Sequence, residues 1–191
     1  VDWADSVPAI FEQAFAKYPD AASFACMGKS LTYRELDQLS AQFGTYLQKD
    51  LGLVKGDRVA LMMPNILQYP IALIGALRVG LTIVNVNPLY TARELEHQLT
   101  DSGAETIVIV ANFAKTLESV MSKVPIENVI LTSLGDMLGF PKSLIVNFVV
   151  KNIKKMVPAF HLPGAIPFKQ ALSRGSSASY DKVSITHEDI A

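Results

Sequence analysis

Two short runs of this chain hold the side chains best suited to chemistry: Met63-Pro64-Asn65 and Asn85-Val86-Asn87-Pro88-Leu89-Tyr90-Thr91. Each follows apolar residues that read as a buried strand, and in open α/β sheets ligands bind outside the C-terminal ends of strands. The second run sets amides, a phenol and a hydroxyl beside the start of a helix, where unpaired backbone N–H groups favour an anion. A second reading needs no ligand. Asn87-Pro88 is turn chemistry, Tyr90 packs, and Thr91-Ala92-Arg93-Glu94 is a capping box that satisfies the helix end from within.

Other chemistries leave no trace. No G-x-x-x-x-G-K-[ST], G-x-G-x-x-G or G-x-S-x-G occurs, so neither a phosphate loop nor a nucleophile elbow is spelled out. Gly175-Ser176-Ser177 follows no predicted strand, and Gly175 to Ser179 reads as a flexible link. The carboxylates are scattered without an obvious pair, and Asp101-Ser102-Gly103 reads as a helix end. His97, His161, His187 and the single Cys26 do not form a zinc spacing. A lone cysteine makes no internal disulfide, which fits a reducing, cytoplasmic home. No catalytic, cofactor-binding or metal-binding residue is therefore assigned.

The elements that would position these residues follow from periodicity. Ser6-Val7-Pro8 starts a helix whose apolar face is Ile10, Phe11, Ala14 and Phe15. Ala22 to Leu31 reads as a small hairpin around Met27-Gly28-Lys29. Thr32-Tyr33-Arg34-Glu35 is a capping box, followed by Leu36, Leu39, Phe43 and Leu47 at helical spacing. Apolar strands then begin near Arg58, Thr82, Thr106 and Asn128, at intervals of 22 to 24 residues. Each interval fits one strand, one helix and two short loops. The intervening helices run near 66–79, from Thr91 to before Gly103, and near 113–123. Continuously apolar strands are covered on both faces, as in parallel sheets. The expected fold is α/β: an open, doubly wound, mostly parallel sheet with helices on both faces and a small N-terminal hairpin.

Val59 to Leu77 is 19 residues without a formal charge, within the roughly 17–25 needed to span a membrane. Pro64, Asn65, Gln68 and Pro70 break it, so it reads as strand, turn and buried helix. The start, Val1-Asp2-Trp3-Ala4-Asp5, is acidic and lacks the basic end and apolar run of a signal peptide.

With 191 residues, the chain has the size of one domain, or one domain plus an attachment. Lys+Arg 17 against Asp+Glu 18 gives a net charge of −1, which argues against nucleic acid as a partner. Hydrophobic residues at 50% and charged residues at 18% exclude disorder as the main state. The balance conceals an asymmetry. Residues 137–180 carry Lys142, Lys151, Lys154, Lys155, Lys169 and Arg174 with no acid, a charge of +6, and the rest of the chain carries −7. The chain accordingly divides into an α/β part (1–136), a basic amphipathic and Pro/Ser-rich segment (137–180) and a closing stretch (181–191). Within the second, Leu144, Ile145, Phe148, Val149, Ile153 and Met156 share one helical face, and Ser143, Asn147, Lys151, Lys154 and Lys155 the other. Lys142 to Val157 thus reads as a surface helix packed on the sheet, as an interfacial helix on an anionic membrane, or as an attractor for an anionic ligand. Thr186-His187-Glu188-Asp189 looks like the cap and first turn of a further helix.

Several runs resemble the N-terminal part of bacterial long-chain fatty-acid–CoA ligases of the adenylate-forming superfamily. They are Leu31-Thr32-Tyr33-Arg34-Glu35-Leu36, Gly56-Asp57-Arg58-Val59-Ala60-Leu61-Met62-Met63-Pro64-Asn65, Asn85 to Thr91, and Arg93-Glu94-Leu95-Glu96-His97-Gln98-Leu99. Asn147-Phe148-Val149-Val150-Lys151 and His161-Leu162-Pro163 are similar to it as well. Ala92 stands where many relatives carry Pro. The resemblance implies the first part of the family's large N-terminal domain. It also implies a two-step reaction: a fatty carboxylate attacks ATP to give acyl-adenylate, and coenzyme A then displaces AMP, with Mg²⁺ neutralising phosphate charge. The family's phosphate loop normally follows a segment like Ile185 to Ala191, so the resemblance carries no catalytic residue onto this chain and implies a fragment inactive alone. It is compatible with a homodimer and with a cytoplasmic enzyme peripheral on the inner membrane face. Two alternatives stand beside it: a ligase for another carboxylic acid, medium-chain or aryl, and a non-enzymatic, membrane-associated α/β module.

Overall fold

The computed structural model describes residues 6–191; the expectation resting on Val1 to Asp5 lies outside the described residues. Helix α1 (Val7–Lys17) is capped by Ser6, whose hydroxyl accepts from the Ala9 amide at 3.4 Å. Strands β1 (Ala22–Cys26) and β2 (Lys29–Thr32) pair antiparallel. Met27 and Gly28 between them both take positive φ, 50° and 73°, as a two-residue turn that follows strand twist requires. Helix α2 (Tyr33–Thr45) opens on the expected capping box: the Thr32 amide donates to Glu35 at 2.8 Å and the Glu35 amide to Thr32 at 3.1 Å.

Strands β3 (Arg58–Met62), β4 (Thr82–Asn85), β5 (Thr106–Val110) and β6 (Asn128–Thr132) begin on the residues the periodicity named. With a short β7 (Ile166–Pro167) they form one parallel sheet in the order β4-β3-β5-β6-β7. β7 escaped the sequence because two residues amid prolines carry no pattern, and Pro167 is tolerated at the sheet edge. Helices α3 (Gln68–Arg78) and α7 (Phe168–Gly175) join α2 on one face, over Val59, Leu61, Val108 and Val110. Helices α4 (Ala92–Ser102) and α5 (Ala114–Glu118) cover Ala60, Met62, Ile107 and Ile109 on the other. Alternate residues of one strand thus enter different apolar layers, which is why these strands are apolar throughout. Val59 to Leu77 is β3, a turn and α3, and among the described residues no helix is long and apolar enough to cross a membrane.

Close backbone approach sets the α2–α3 crossing. A Cβ on Gly75 would lie 2.7 Å from the Ser40 carbonyl, and one on Gly44 2.7 Å from the Gly75 carbonyl. Arg78 locks the same corner. Its buried guanidinium pairs with Glu12 at 2.8 Å and with Asp37, donates to Ser40 at 2.9 Å and lies 4.8 Å over the Phe15 ring. Burial opposes its charge, but the Asp37 hydrogen bond and the nearby acids hold its pKa above the ordinary value.

Three local expectations are corrected. The helix foreseen over 113–123 is broken into a 3₁₀ turn at Ala111–Phe113, α5, and a 3₁₀ turn at Met121–Lys123. Only Ala114 and Leu117 of α5 are buried, too little apolar surface to hold a longer helix. Gly175 belongs to no link. It ends α7 so close to α2 that a Cβ would fall 1.9 Å from the Gln42 carbonyl. The basic segment forms α6 (Lys142–Phe148), which continues as a π-helical turn over Val149–Ile153. It does not pack its apolar face on the sheet. Ser143 is buried, whereas Leu144, Ile145, Phe148, Ile153 and Met156 are each more than half exposed.

Candidate functional site

From β3 the chain crosses to β4 on one side and then returns past β3 to β5 on the other. Connections diverge between β3 and β5, and in such sheets the ligand crevice opens at the C-terminal ends of those two strands. Met63-Pro64-Asn65 leaves β3 there, with Met63 buried and Pro64 and Asn65 exposed; Ala111-Asn112 leaves β5. The structure thus places the first sequence-predicted run at the switch point and the second, after β4, one strand outward.

That second run is occupied by its own side chains. Asn85 accepts from the Tyr69 hydroxyl at 2.8 Å and, through its carbonyl, from Gln98 at 2.9 Å. Asn87 accepts from the Leu89 amide at 3.0 Å and the Tyr90 amide at 3.1 Å, a side-chain-stabilised turn. Glu94 accepts from the amide and the hydroxyl of Thr91, both at 2.8 Å, and these bonds hold its carboxyl below the usual range. The α4 N-terminus already carries its anion, so the reading of this run as turn and cap accounts for it.

Sequence reasoning missed a polar network at the end of β6. The Asp136 carboxylate accepts from the Thr132 hydroxyl at 3.0 Å, the Ser133 amide at 2.8 Å and the Asn147 amide group at 2.9 Å. Gln68, at the start of α3, donates to Thr132 at 3.0 Å and to the Ser133 carbonyl at 2.9 Å. Asn147 closes the ring by accepting from the Gly135 amide at 2.8 Å. Helix α6 is thereby tied by its polar side to the ligand end of the sheet. Asp136, four residues past a strand-ending Thr, was the available signal. Beside this network a cavity of about 200 Å³ lies among Asn112, Ser133, Asn147, Lys151 and Phe160. Asn112 donates to the Met156 carbonyl at 3.1 Å, and its buried side-chain oxygen has no partner among the described residues.

The opposite end of the sheet is closed by the final stretch of chain. Lys55 pairs with Asp189 at 2.7 Å, and the Thr82 hydroxyl donates to the Ile190 carbonyl at 3.2 Å. Asp189 also accepts from the Thr186 amide at 2.7 Å, and its carboxyl is held below the usual range, first by Lys55 and then by Thr186. Among the described residues no three His, Cys, Asp or Glu side chains converge as a metal site.

A family model described as AMP-binding enzyme matches residues 11–179. A long-chain-fatty-acid–CoA ligase of Escherichia coli O6:H1 is 56% identical over 190 residues, covering 100% of this chain and 34% of that protein. Among solved structures, an anthranilate CoA ligase in complex with anthranoyl-AMP superposes with a TM-score of 0.76 at 16% identity, covering 98% of this chain and 31% of the other. A long-chain-fatty-acid-CoA ligase from Archaeoglobus fulgidus gives 0.71 at 20% identity, covering 97% and 33%. The two structures share the fold; the chain spans about a third of the length of the relatives it matches.

Proposed function

This chain belongs to the AMP-binding enzyme family, and from that premise we propose that it is the N-terminal part of a long-chain fatty-acid–CoA ligase. The parent activates a fatty acid with ATP and passes the acyl group to coenzyme A. The observation that carries this reading is identity of 56% along the whole chain to a ligase of that specificity. The doubly wound sheet, with its switch point between β3 and β5, supports it as the scaffold on which such a site is built.

No site for ATP, Mg²⁺ or coenzyme A is assigned to the residues present. The sequence holds no phosphate loop, the α4 N-terminus is filled by Glu94, and no three metal-ligating side chains converge among the described residues. Binding of all three is assigned to the remainder of the parent, and no catalytic step is derived from these side chains. Peripheral contact with the inner face of the membrane, a cytoplasmic location and a homodimer belong to the same proposal.

The reading frame beyond Ala191 gives a first test. A Thr/Ser/Gly-rich loop ending in Lys-Gly within about twenty residues is expected, because that composition cradles phosphate. A stop codon there favours a non-enzymatic module. A panel of long-chain, medium-chain and aryl acids, offered to the product of the whole reading frame, separates the ligase specificities.

A further inference from the structure

Helix α6 and its π-helical continuation turn most of their large apolar side chains outward, with Val146 of α6 packed on the core. In an amphipathic helix of a globular protein the apolar stripe faces the core. Here Ser143 is buried, Asn147 is spent on Gly135 and Asp136, and Phe140, Leu144, Ile145, Phe148, Ile153 and Met156 are each more than half exposed.

The π turn extends this outward face. On a regular α-helix, residues five apart are rotated by about 140°, which would set Ile153 at the far edge of the apolar face from Phe148. The π turn closes bonds five residues apart, as in the Lys154 amide donating to the Val149 carbonyl at 2.8 Å. The wider turn therefore brings Ile153 nearer to the side of Phe148 than an α-helical turn would. Lys155, at a φ of 51°, ends the segment in the left-handed conformation.

Charge indicates what covers this face. Lys151, Lys154 and Lys155 are exposed and in no ion pair among the described residues. No acid occurs anywhere in 137–180. A protein partner would have to bring both an apolar surface and several carboxylates. An anionic bilayer supplies both at once, with hydrocarbon below and phosphate at the level of the lysines. We infer that residues 140–156 form a docking surface that seats on an anionic bilayer. Phe140, Leu144, Ile145, Phe148 and Ile153 enter the acyl boundary, Lys151, Lys154 and Lys155 lie among the headgroups, and the Asn147–Asp136 bond couples the helix to the ligand end of the sheet. The inference rests on the ligase reading in one respect, that a membrane is where a long-chain fatty acid is met.

The test uses the product of the whole reading frame and co-sedimentation with vesicles of pure phosphatidylcholine or of equimolar phosphatidylcholine and phosphatidylglycerol. Binding to the anionic vesicles is expected. K151E/K154E/K155E should weaken it by about a hundredfold, from roughly a factor of five per lysine at the surface. I145S/F148S, at exposed positions, should weaken it on any vesicle while thermal unfolding stays in place. A fluorophore on Phe148→Cys, in a background with Cys26 and any other cysteine of the whole protein changed to Ser, should shift to the blue only when anionic vesicles are added. A label already blue-shifted in buffer would show the face covered by the rest of the protein, and unchanged binding in both multiple variants would equally overturn the surface. Turnover of detergent-dispersed fatty acid is followed in parallel. Its absence in the unsubstituted protein refutes the ligase reading alone; intact turnover with unaltered vesicle binding refutes the surface alone.

Discussion

Asn147 donates to Asp136 at 2.9 Å and accepts from the Gly135 amide at 2.8 Å, so one side chain fastens α6 to the loop that leaves β6. A Cβ on Gly135 would lie 2.7 Å from the Asn147 oxygen, which leaves that position no room for a larger residue.

Removing this tie should loosen the helix first and the fold second. N147A leaves the Gly135 amide and one Asp136 oxygen short of a partner, a cost of about 1–3 kcal/mol for half-buried groups. N147D should be worse at neutral pH, since it sets a second carboxylate against Asp136, and should recover as pH falls toward the carboxylate range, about 4. Thermal unfolding of the three proteins, with limited proteolysis reporting on 137–157, checks the order.

The glycine crossing predicts a sharper loss. G75A forces a Cβ to 2.7 Å from the Ser40 carbonyl, and G175A forces one to 1.9 Å from the Gln42 carbonyl. Backbone has to shift in both cases, so each should lose about 1–3 kcal/mol or more, in contrast to the usual gain of helix propensity from Gly to Ala. Urea denaturation gives the values, and G175A should be the more damaging.

Much of this was legible beforehand, and the parts that were not have a common cause. Strand starts at Arg58, Thr82, Thr106 and Asn128, and the capping boxes at Thr32 and Thr91, follow from local patterns that the structure reproduces. The direction in which α6 faces is no local property. A period shows that Leu144 and Phe148 share a side, but only Asn147 reaching Asp136, across eleven residues, decides that this side points outward. Gly175 misled for the same reason: Gly-Ser-Ser reads as a link until α2 is seen pressed against it. At the ligand end, Thr91 and Glu94 were legible as a cap, whereas the pairing of Gln68 with Thr132, 64 residues apart, was not.

Arg78 tests how a buried charge is held. Its guanidinium serves Glu12, Asp37 and Ser40 together, and R78M keeps the bulk but strands those partners. Breaking such a pair from one side costs about 3–5 kcal/mol when both groups are buried. Glu12 and Asp37 are half exposed, so a loss of about 2 kcal/mol is expected. R78K should rescue only part of it, because an ammonium cannot match the guanidinium fork. Chemical denaturation of both variants checks this.

Acid should act through Glu94 and Asp189. Both carboxyls are held below their ordinary values in the folded chain. Their contribution is therefore present above the unfolded carboxylate range, about 4, and is lost as pH falls through the lower folded values. E94Q and D189N should each lower stability near neutral pH and flatten the acid limb of the stability profile. Unfolding midpoints followed from pH 7 downward read this; an unaltered acid limb in both would contradict it.

The ligase account is tested most directly by product analysis with palmitate. The product of the whole reading frame is given ATP, Mg²⁺, coenzyme A and palmitate, and AMP and acyl-CoA are quantified together. The account predicts AMP and palmitoyl-CoA in equal amounts, a preference for palmitate over benzoate, and no turnover by the 191-residue chain alone. Turnover of benzoate with none of palmitate, or robust AMP release by the 191-residue chain, would contradict it.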